Sequence, residues 1–299
     1  MHSYILYGST ICSDLSFPQL IEASDGEHGH MDITIQEGTI PEDIKIQEKD
    51  RKYRFDKRRS WLINTTAWLL VEDGNKVTYE LRANANLNYL RTYILGYAMS
   101  MLYLQRGEMA IHCAAVSKDG EAVLIAGESG SGKSTVTNAL LEAGYQLMAD
   151  DLAIVRFNKQ GEPMVAPGFP YQKLCSDVVV KRGYCLDHLI YINEEKDKYL
   201  VPYEGEFCTH EKPLKAMVLL TGVDTVDQLS IKPLKGMDKF HVCVNNLFLK
   251  RLLKEQRYES NIGKTCLEIA SKVPFYDICR PLGANTLHEI KEYIVSCVS

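Results

Sequence analysis

Glu121-Ala-Val-Leu-Ile-Ala126, followed by Gly127-Glu128-Ser129-Gly130-Ser131-Gly132-Lys133-Ser134, decides the fold. The first six residues form an apolar run of the length of a buried strand. The next eight match G-x-x-x-x-G-K-[ST] without a mismatch, a loop that belongs between a strand and a helix. Its glycines permit positive φ and leave no Cβ between backbone N–H groups and an anion. A helix opening near Lys133 turns its unbonded N–H groups and its positive dipole end toward phosphate. Lys133 adds a mobile point charge for the β and γ phosphates. The Ser134 hydroxyl is a ligand for Mg²⁺, an ion that keeps most of its waters. Nucleotide contacts are therefore expected from Gly127, Glu128, Ser129, Gly130, Ser131, Gly132, Lys133, Ser134 and Thr135.

Downstream, an amphipathic helix is predicted from about Ser134 to Glu142, with Gly144 ending it. Tyr145 to Ala149 is the next strand, and it delivers Asp150 and Asp151 at its end. Ligands of open α/β sheets sit at the carboxyl ends of strands. One carboxylate there can order Mg²⁺ or its water, and the other can take a proton from an attacking hydroxyl. Two like charges side by side also raise one of the two pKa values, which suits a base. Upstream, Ala110 to Val116 reads as a strand pairing with Glu121 to Ala126 through Lys118-Asp119-Gly120, and it carries His112. A lone histidine on an apolar strand is most often a satisfied core residue. Its place on the strand leading to the loop favours a functional role.

The first third reads mainly as β structure. Short runs rich in β-formers occur at Tyr4 to Tyr7, Met31 to Ile35, Ile44 to Gln47, Trp61 to Asn64, Trp68 to Val71 and Lys76 to Leu81, separated by turn residues. A helix from about Leu87 to Arg106 leads into the loop region. Ala216 to Leu220 (strand), Val242 to Lys254 (helix) and Thr286 to Ser296 (helix) follow. The order implies an α/β core. The expected division is a mostly β N-terminal domain over residues 1–85 and the nucleotide domain over 86–299.

Composition bounds the function. The 299 residues carry a formal net charge of -5, which argues against a nucleic-acid binder. The basic stretch Lys49 to Arg59 reads as a solvated hairpin or loop rather than a binding patch. Nine dispersed cysteines without a C-x-x-C pair suit reduced thiols of a cytoplasmic protein. The opening Met1-His-Ser-Tyr-Ile-Leu-Tyr is not read as a signal peptide. Tyr93 to Leu104 is apolar but too short to span a bilayer, so no membrane association is expected. His28-Gly29-His30 lacks partner ligands and is not read as a metal site. No H-R-D or D-F-G occurs, which excludes a protein kinase of the eukaryotic type. Asn158-Lys159-Gln160-Gly161 lacks the acidic residue of a guanine-reading motif, which favours ATP over GTP.

The run from Ile111 through Asp151 resembles the catalytic domain of bacterial HPr kinase/phosphorylase in the spacing of His112, Lys133 and Asp151. The wider chain resembles the HPr-kinase-like proteins of peptide-modification gene clusters, such as lasso-peptide serine kinases. The segments that carry this likeness are Tyr4 to Gly8, Ser13 to Leu20, Met31 to Ile35, Pro167 to Pro170 with Lys173-Leu174, Lys198 to Pro202 and Val273 to Tyr276. The resemblance implies an HPr-kinase-like P-loop domain. In it His112 would contact the transferring phosphate and the base, Asp151 would be the general base, and Asp150 its supporting carboxylate and a metal ligand with Ser134. It makes Lys173, Lys198 and Arg251 candidates for extra phosphate contacts. The Gly-rich acidic segment that HPr kinase/phosphorylases carry after the Asp pair is not found, which leaves phosphorolysis open and makes HPr itself a lesser option as substrate.

The expected function is an ATP- and Mg²⁺-dependent kinase acting on a serine or threonine hydroxyl of a peptide or small protein. A kinase for a small-molecule hydroxyl and a nucleotide-gated binding protein without transfer stay open. Whether the chain forms a homo-oligomer also stays open.

Overall fold

Alternation of apolar residues with turn pairs builds the N-terminal strands. The computed structural model describes residues 1–24, 32–192, 197–253 and 260–298. β1 (His2–Leu6) and β2 (Ser9–Ser13) form a hairpin through Tyr7 and Gly8, both at positive φ. Such two-residue turns match the right-handed twist of the strands. β3 (Ile21–Glu22), β4 (Ile33–Glu37), α1 (Glu42–Ile46), β5 (Tyr53–Arg54), β6 (Arg59–Ile63), β7 (Ala67–Glu72) and β8 (Lys76–Leu81) follow. These strands make an eight-stranded sheet in the order β3-β1-β2-β4-β8-β7-β6-β5. α2 (Leu87–Tyr93), a π turn over Ile94–Ala98 and α3 (Met99–Gln105) form the helical stretch expected between the two regions. Asn86 starts it, its side chain accepting from the N–H groups of Asn88 and Tyr89.

One N-terminal expectation is wrong. Ile44 to Gln47 is not a strand: Glu42–Ile46 is α1, and a 3₁₀ turn follows over Gln47–Lys49. Two acidic residues in the first turn suit a helix start. Ile44 is buried with Ile40, Trp61, Ile63 and Leu70, whereas Ile46 is 65% exposed. The two isoleucines therefore do not share the single buried face that period-two alternation demands. The basic stretch lies at the surface in ion pairs: Lys52 with Glu48, Arg58 with Asp73 and Arg59 with Asp43.

The rest of the chain runs β9 (Met109–Ile111), β10 (Cys113–Lys118), β11 (Glu121–Gly127), α4 (Lys133–Glu142), β12 (Gln146–Ala149), β13 (Ala153–Phe157), β14 (Pro163–Ala166), β15 (Tyr171–Cys175), α5 (Ser176–Lys181), β16 (Ile190–Ile192), β17 (Lys198–Pro202), β18 (Lys212–Val223), β19 (Ser230–Pro233), α6 (Met237–Asn245), α7 (Lys250–Leu253), α8 (Ser260–Lys272), β20 (Phe275–Pro281) and α9 (Leu287–Val298). Contacts group the chain into two compact units. The first comprises Met1–Glu108, Tyr171–Pro202 and Arg251–Lys254, and the second Met109–Pro170, Tyr203–Lys250 and Glu255–Ser299. The boundary expected at residue 85 thus falls inside the first unit, which also holds a small sheet in the order β15-β17-β16.

The second unit is a mixed nine-stranded sheet in the order β12-β10-β11-β18-β14-β13-β9, with β20 beside β18 and β19 beside β20. β11, β18 and β20 are mutually parallel. β12 runs the same way, because it is antiparallel to β10 and β10 is antiparallel to β11. The carboxyl ends of β12, β11, β18 and β20 therefore lie along one edge. The β10–β11 turn is Asp119-Gly120, both at positive φ, as the sequence pair demands. Val136 and Leu140 of α4 and Ile290 and Ile294 of α9 bury the i, i+4 face of each helix with Val116, Val123, Ile125, Val218, Leu220 and Ile278.

The predicted helix over Val242 to Lys254 is broken. α6 ends at Asn245, and α7 begins only at Lys250; Lys254 lies outside the described residues. The Asn246 side chain donates to the carbonyl of Val242, and the backbone at 246 and 248 bonds to β9 and its exit instead of continuing the helix. Among the described residues no helix is long and apolar enough to cross a membrane. His28 and His30 lie outside the described residues.

Candidate active site

The loop between β11 and α4 is shaped by its glycines. Gly127, Gly130 and Gly132 have φ of 147°, 87° and 104°. A Cβ on Gly127 would lie 2.4 Å from the Leu220 carbonyl oxygen and 2.7 Å from Ser131 Oγ, so no other residue fits without displacing β18 or the loop. Gly132 is left-handed at the N-cap of α4, whose ten residues start with Lys133. The Lys133 ammonium donates to the carbonyls of Gly127 (2.5 Å) and Glu128 (3.3 Å), folding the side chain back over the loop. Ser131 is 5% exposed, and its Oγ has no hydrogen-bond partner. A cradle closed to Cβ atoms, with a buried hydroxyl lacking a partner beside a cation, fits a bound phosphate chain. Ser134 stands in the first turn of α4 with Thr135 after it. Among the described residues no group of three His, Cys, Asp or Glu side chains is arranged to hold a metal. Mg²⁺ bound by a hydroxyl, a carboxylate, phosphates and water needs no such group.

Asp150 and Asp151 follow β12 at the same edge. Asp151 has φ of 71°, and the N–H of Leu152 donates to the Asp150 carbonyl at 2.9 Å. An i to i+2 bond about a residue at positive φ is a γ-turn of the strained kind. Aspartate tolerates this region better than most residues, at about 1–3 kcal/mol. The turn sets Asp151 against His112. His112 Nδ1 lies 2.9 Å from the Asp151 carbonyl oxygen and 3.4 Å from its Oδ1, with side chains 35% and 13% exposed. Both neighbours of Nδ1 are acceptors, so that nitrogen carries a proton and donates. Burial pushes the thiol of Cys113, the next residue, well above its usual range. The Lys133 ammonium pulls it down, and the Asp150 and Asp151 carboxylates push it up. One buried thiol thus feels the lysine and both carboxylates, so all three lie in its neighbourhood.

His112 is not within a strand, as the sequence implied. The chain breaks there: Ile111 ends β9, which pairs with β13, and Cys113 begins β10, which pairs with β11. The break is held by the 246–248 segment. His112 N–H donates to the Asn246 carbonyl at 2.7 Å, Phe248 N–H donates to the Ala110 carbonyl at 2.9 Å, and the Phe248 ring meets the imidazole edge-on at 6.0 Å. Asn246 also lines a cavity of about 550 Å³ beside the loop, with Glu128, Ser131, Thr221, His241 and Lys250.

The structure thus gathers His112, Lys133, Asp150 and Asp151 with the loop from Gly127 to Thr135. Lys173, Lys198 and Arg251 belong to the first unit, not to that of the loop. Asn158 has a turn role: its Oδ1 accepts from the N–H groups of Gln160 and Glu162 between β13 and β14. Two residues at the site escaped the sequence reading. Asn246 and Arg280, whose Nε donates to the Ser131 carbonyl, come from distant segments that carry no motif.

No protein-family model matches the chain. Among curated proteins, the HPr kinase/phosphorylase of Chlorobium limicola is 33% identical over 97 residues, which cover 32% of this chain. The match spans only 27% of that protein's own length. Among solved structures, the Hpr(Ser) kinase/phosphatase from Coxiella burnetii aligns with a TM-score of 0.30 and 13% identity, over 63% of this chain and 93% of that one. The curated match is thus a likeness to HPr kinase/phosphorylase over about a third of this chain.

Proposed function

We propose that the protein is an ATP- and Mg²⁺-dependent phosphotransferase acting on a serine or threonine hydroxyl of a peptide or small protein. The observation that carries this reading is the His112–Asp151 pair on the edge that also bears the loop. A loop alone binds a nucleotide. An aspartate on a strained turn beside it, its main-chain carbonyl bonded by a histidine whose Nδ1 also lies 3.4 Å from its carboxylate, would supply a base where a terminal phosphate would end.

In this scheme the loop amides and Lys133 hold the phosphates, and Ser134 and Asp150 are the residues that would hold Mg²⁺, which supplies charge neutralisation when bound. Asp151 accepts the hydroxyl proton as the acceptor oxygen bonds to the γ phosphorus and the bridging β–γ oxygen leaves with ADP. His112 fixes Asp151 through Nδ1, and its remaining ring nitrogen faces away from that contact. Positioning and electrostatics then supply most of the rate. The strand-rich N-terminal region is proposed to recognise the peptide, on the resemblance alone.

Incubation with γ-labelled ATP, Mg²⁺ and a panel of serine- and threonine-containing peptides tests this. Label is expected on a peptide hydroxyl. ATP binding without transfer to any peptide, or transfer only to small metabolites, would overturn it.

A further inference from the structure

Arg280 lies near the carboxyl end of β20, in register with Gly222 of β18. Its Nε donates to the Ser131 carbonyl at 2.9 Å. A Cβ placed on Gly132 would sit 3.3 Å from both Nε and Nη2, so the guanidinium packs directly against the last glycine of the loop. Ser131 makes no bond through its buried hydroxyl. Its backbone holds it instead, with the N–H donating to the Glu128 carbonyl at 3.1 Å and the carbonyl accepting from Arg280.

A trans peptide is planar, with its C=O and N–H pointing in opposite directions. A Ser131 carbonyl turned toward Arg280 therefore leaves the Gly132 N–H turned to the opposite side, away from the guanidinium. Gly132 is the N-cap of α4, so that N–H adds to the unbonded donors at the helix start. Gly132 at φ 104° has no side chain to fix its own peptide. An external donor is the means by which such a flexible peptide keeps one orientation.

We infer that Arg280 is a positioning residue for phosphate binding: it fixes the Ser131–Gly132 peptide so that the Gly132 N–H donates to a nucleotide phosphate. This rests on the proposed nucleotide role of the loop. The planar fork of arginine fits the task, because Nε is held in the guanidinium plane while Nη2 covers Gly132. A lysine would supply one mobile donor and equal charge.

The test is calorimetric titration of the full chain with ATP and, separately, with inorganic tripolyphosphate, on wild type, R280Q, R280K and K133A. The loss of one oriented donor to a charged acceptor is expected to weaken R280Q by roughly tenfold or more toward both ligands. R280K should fall between R280Q and wild type. The thermal midpoint of R280Q should stay near that of wild type, which a merely structural role would not allow. Wild-type affinity in R280Q, with K133A impaired, overturns the inference and leaves the loop reading intact. Wild-type affinity in K133A, or no binding by wild type, overturns the loop reading and the inference with it. Should R280Q fail to fold, R280K decides, and wild-type affinity there overturns the inference.

Discussion

Replacing Gly127 by alanine should damage the loop more than any other glycine-to-alanine change at positive φ in the α4 region. The new Cβ would stand 2.4 Å from the Leu220 carbonyl oxygen and 2.7 Å from Ser131 Oγ. The first neighbour is backbone of β18, which is paired to β11 in register from Val123 to Gly127 and to β20 on its other side. It cannot retreat without breaking that pairing. Overpacking of this kind costs about 1–3 kcal/mol. Forcing a side chain onto φ 147° adds about 1–3 kcal/mol of backbone strain. Gly144 is the control. It also has positive φ (85°) and closes α4, but a Cβ there meets nothing within 4 Å. Gly144→Ala should therefore cost only the strain, about 1–2 kcal/mol. Urea unfolding followed by circular dichroism, with ATP titration of each variant, compares the two. Gly127→Ala should unfold at a clearly lower urea concentration than Gly144→Ala and lose ATP binding, while Gly144→Ala keeps it. Equal midpoints, or intact ATP affinity in Gly127→Ala, would refute the steric reasoning.

His112→Ala removes the donor to Asp151 and should lower kcat by roughly tenfold to a hundredfold, with ATP affinity little changed, in steady-state kinetics; an unchanged kcat would show that the histidine is only structural. Burial raises the Asp277 carboxyl above its usual range, with Lys232 opposing. The folded state therefore holds that proton to higher pH than the unfolded chain, and the carboxylate destabilises the fold above that interval. Asp277→Asn should raise the thermal midpoint at pH 7, and the gain should shrink as the pH falls toward 4. Leu140→Ala empties the space between α4 and α9 and should cost about 2–5 kcal/mol by urea unfolding.

What the sequence revealed was local. The loop is eight contiguous residues, the Asp119-Gly120 turn two, and the Asp pair closes the strand that follows α4, so each is written in neighbouring residues. Glu42-Asp43 is a local helix-start signal, but apolar Ile44 and Ile46 suit either a strand or a short helix until their burial is known. The break of the helix after Asn245 depends on 246–248 finding β9 as a partner. His112 looked like part of a strand because the two halves of that strand serve different neighbours, a choice made by the whole sheet. Arg280 reaches the loop across 149 residues of sequence, and its strand resembles any other. Positive φ at Asp151 leaves no mark on composition, since aspartate is common in every kind of turn.

The central claim is that the carboxylate at 151 acts as the base for transfer from a nucleotide held by the loop. Its most direct test is the rate of label transfer from γ-labelled ATP to an accepted peptide by wild type and Asp151→Asn, with ATP affinity measured on both. The account predicts transfer by wild type and its near-complete loss in Asp151→Asn at similar ATP affinity. Undiminished transfer by Asp151→Asn would contradict it.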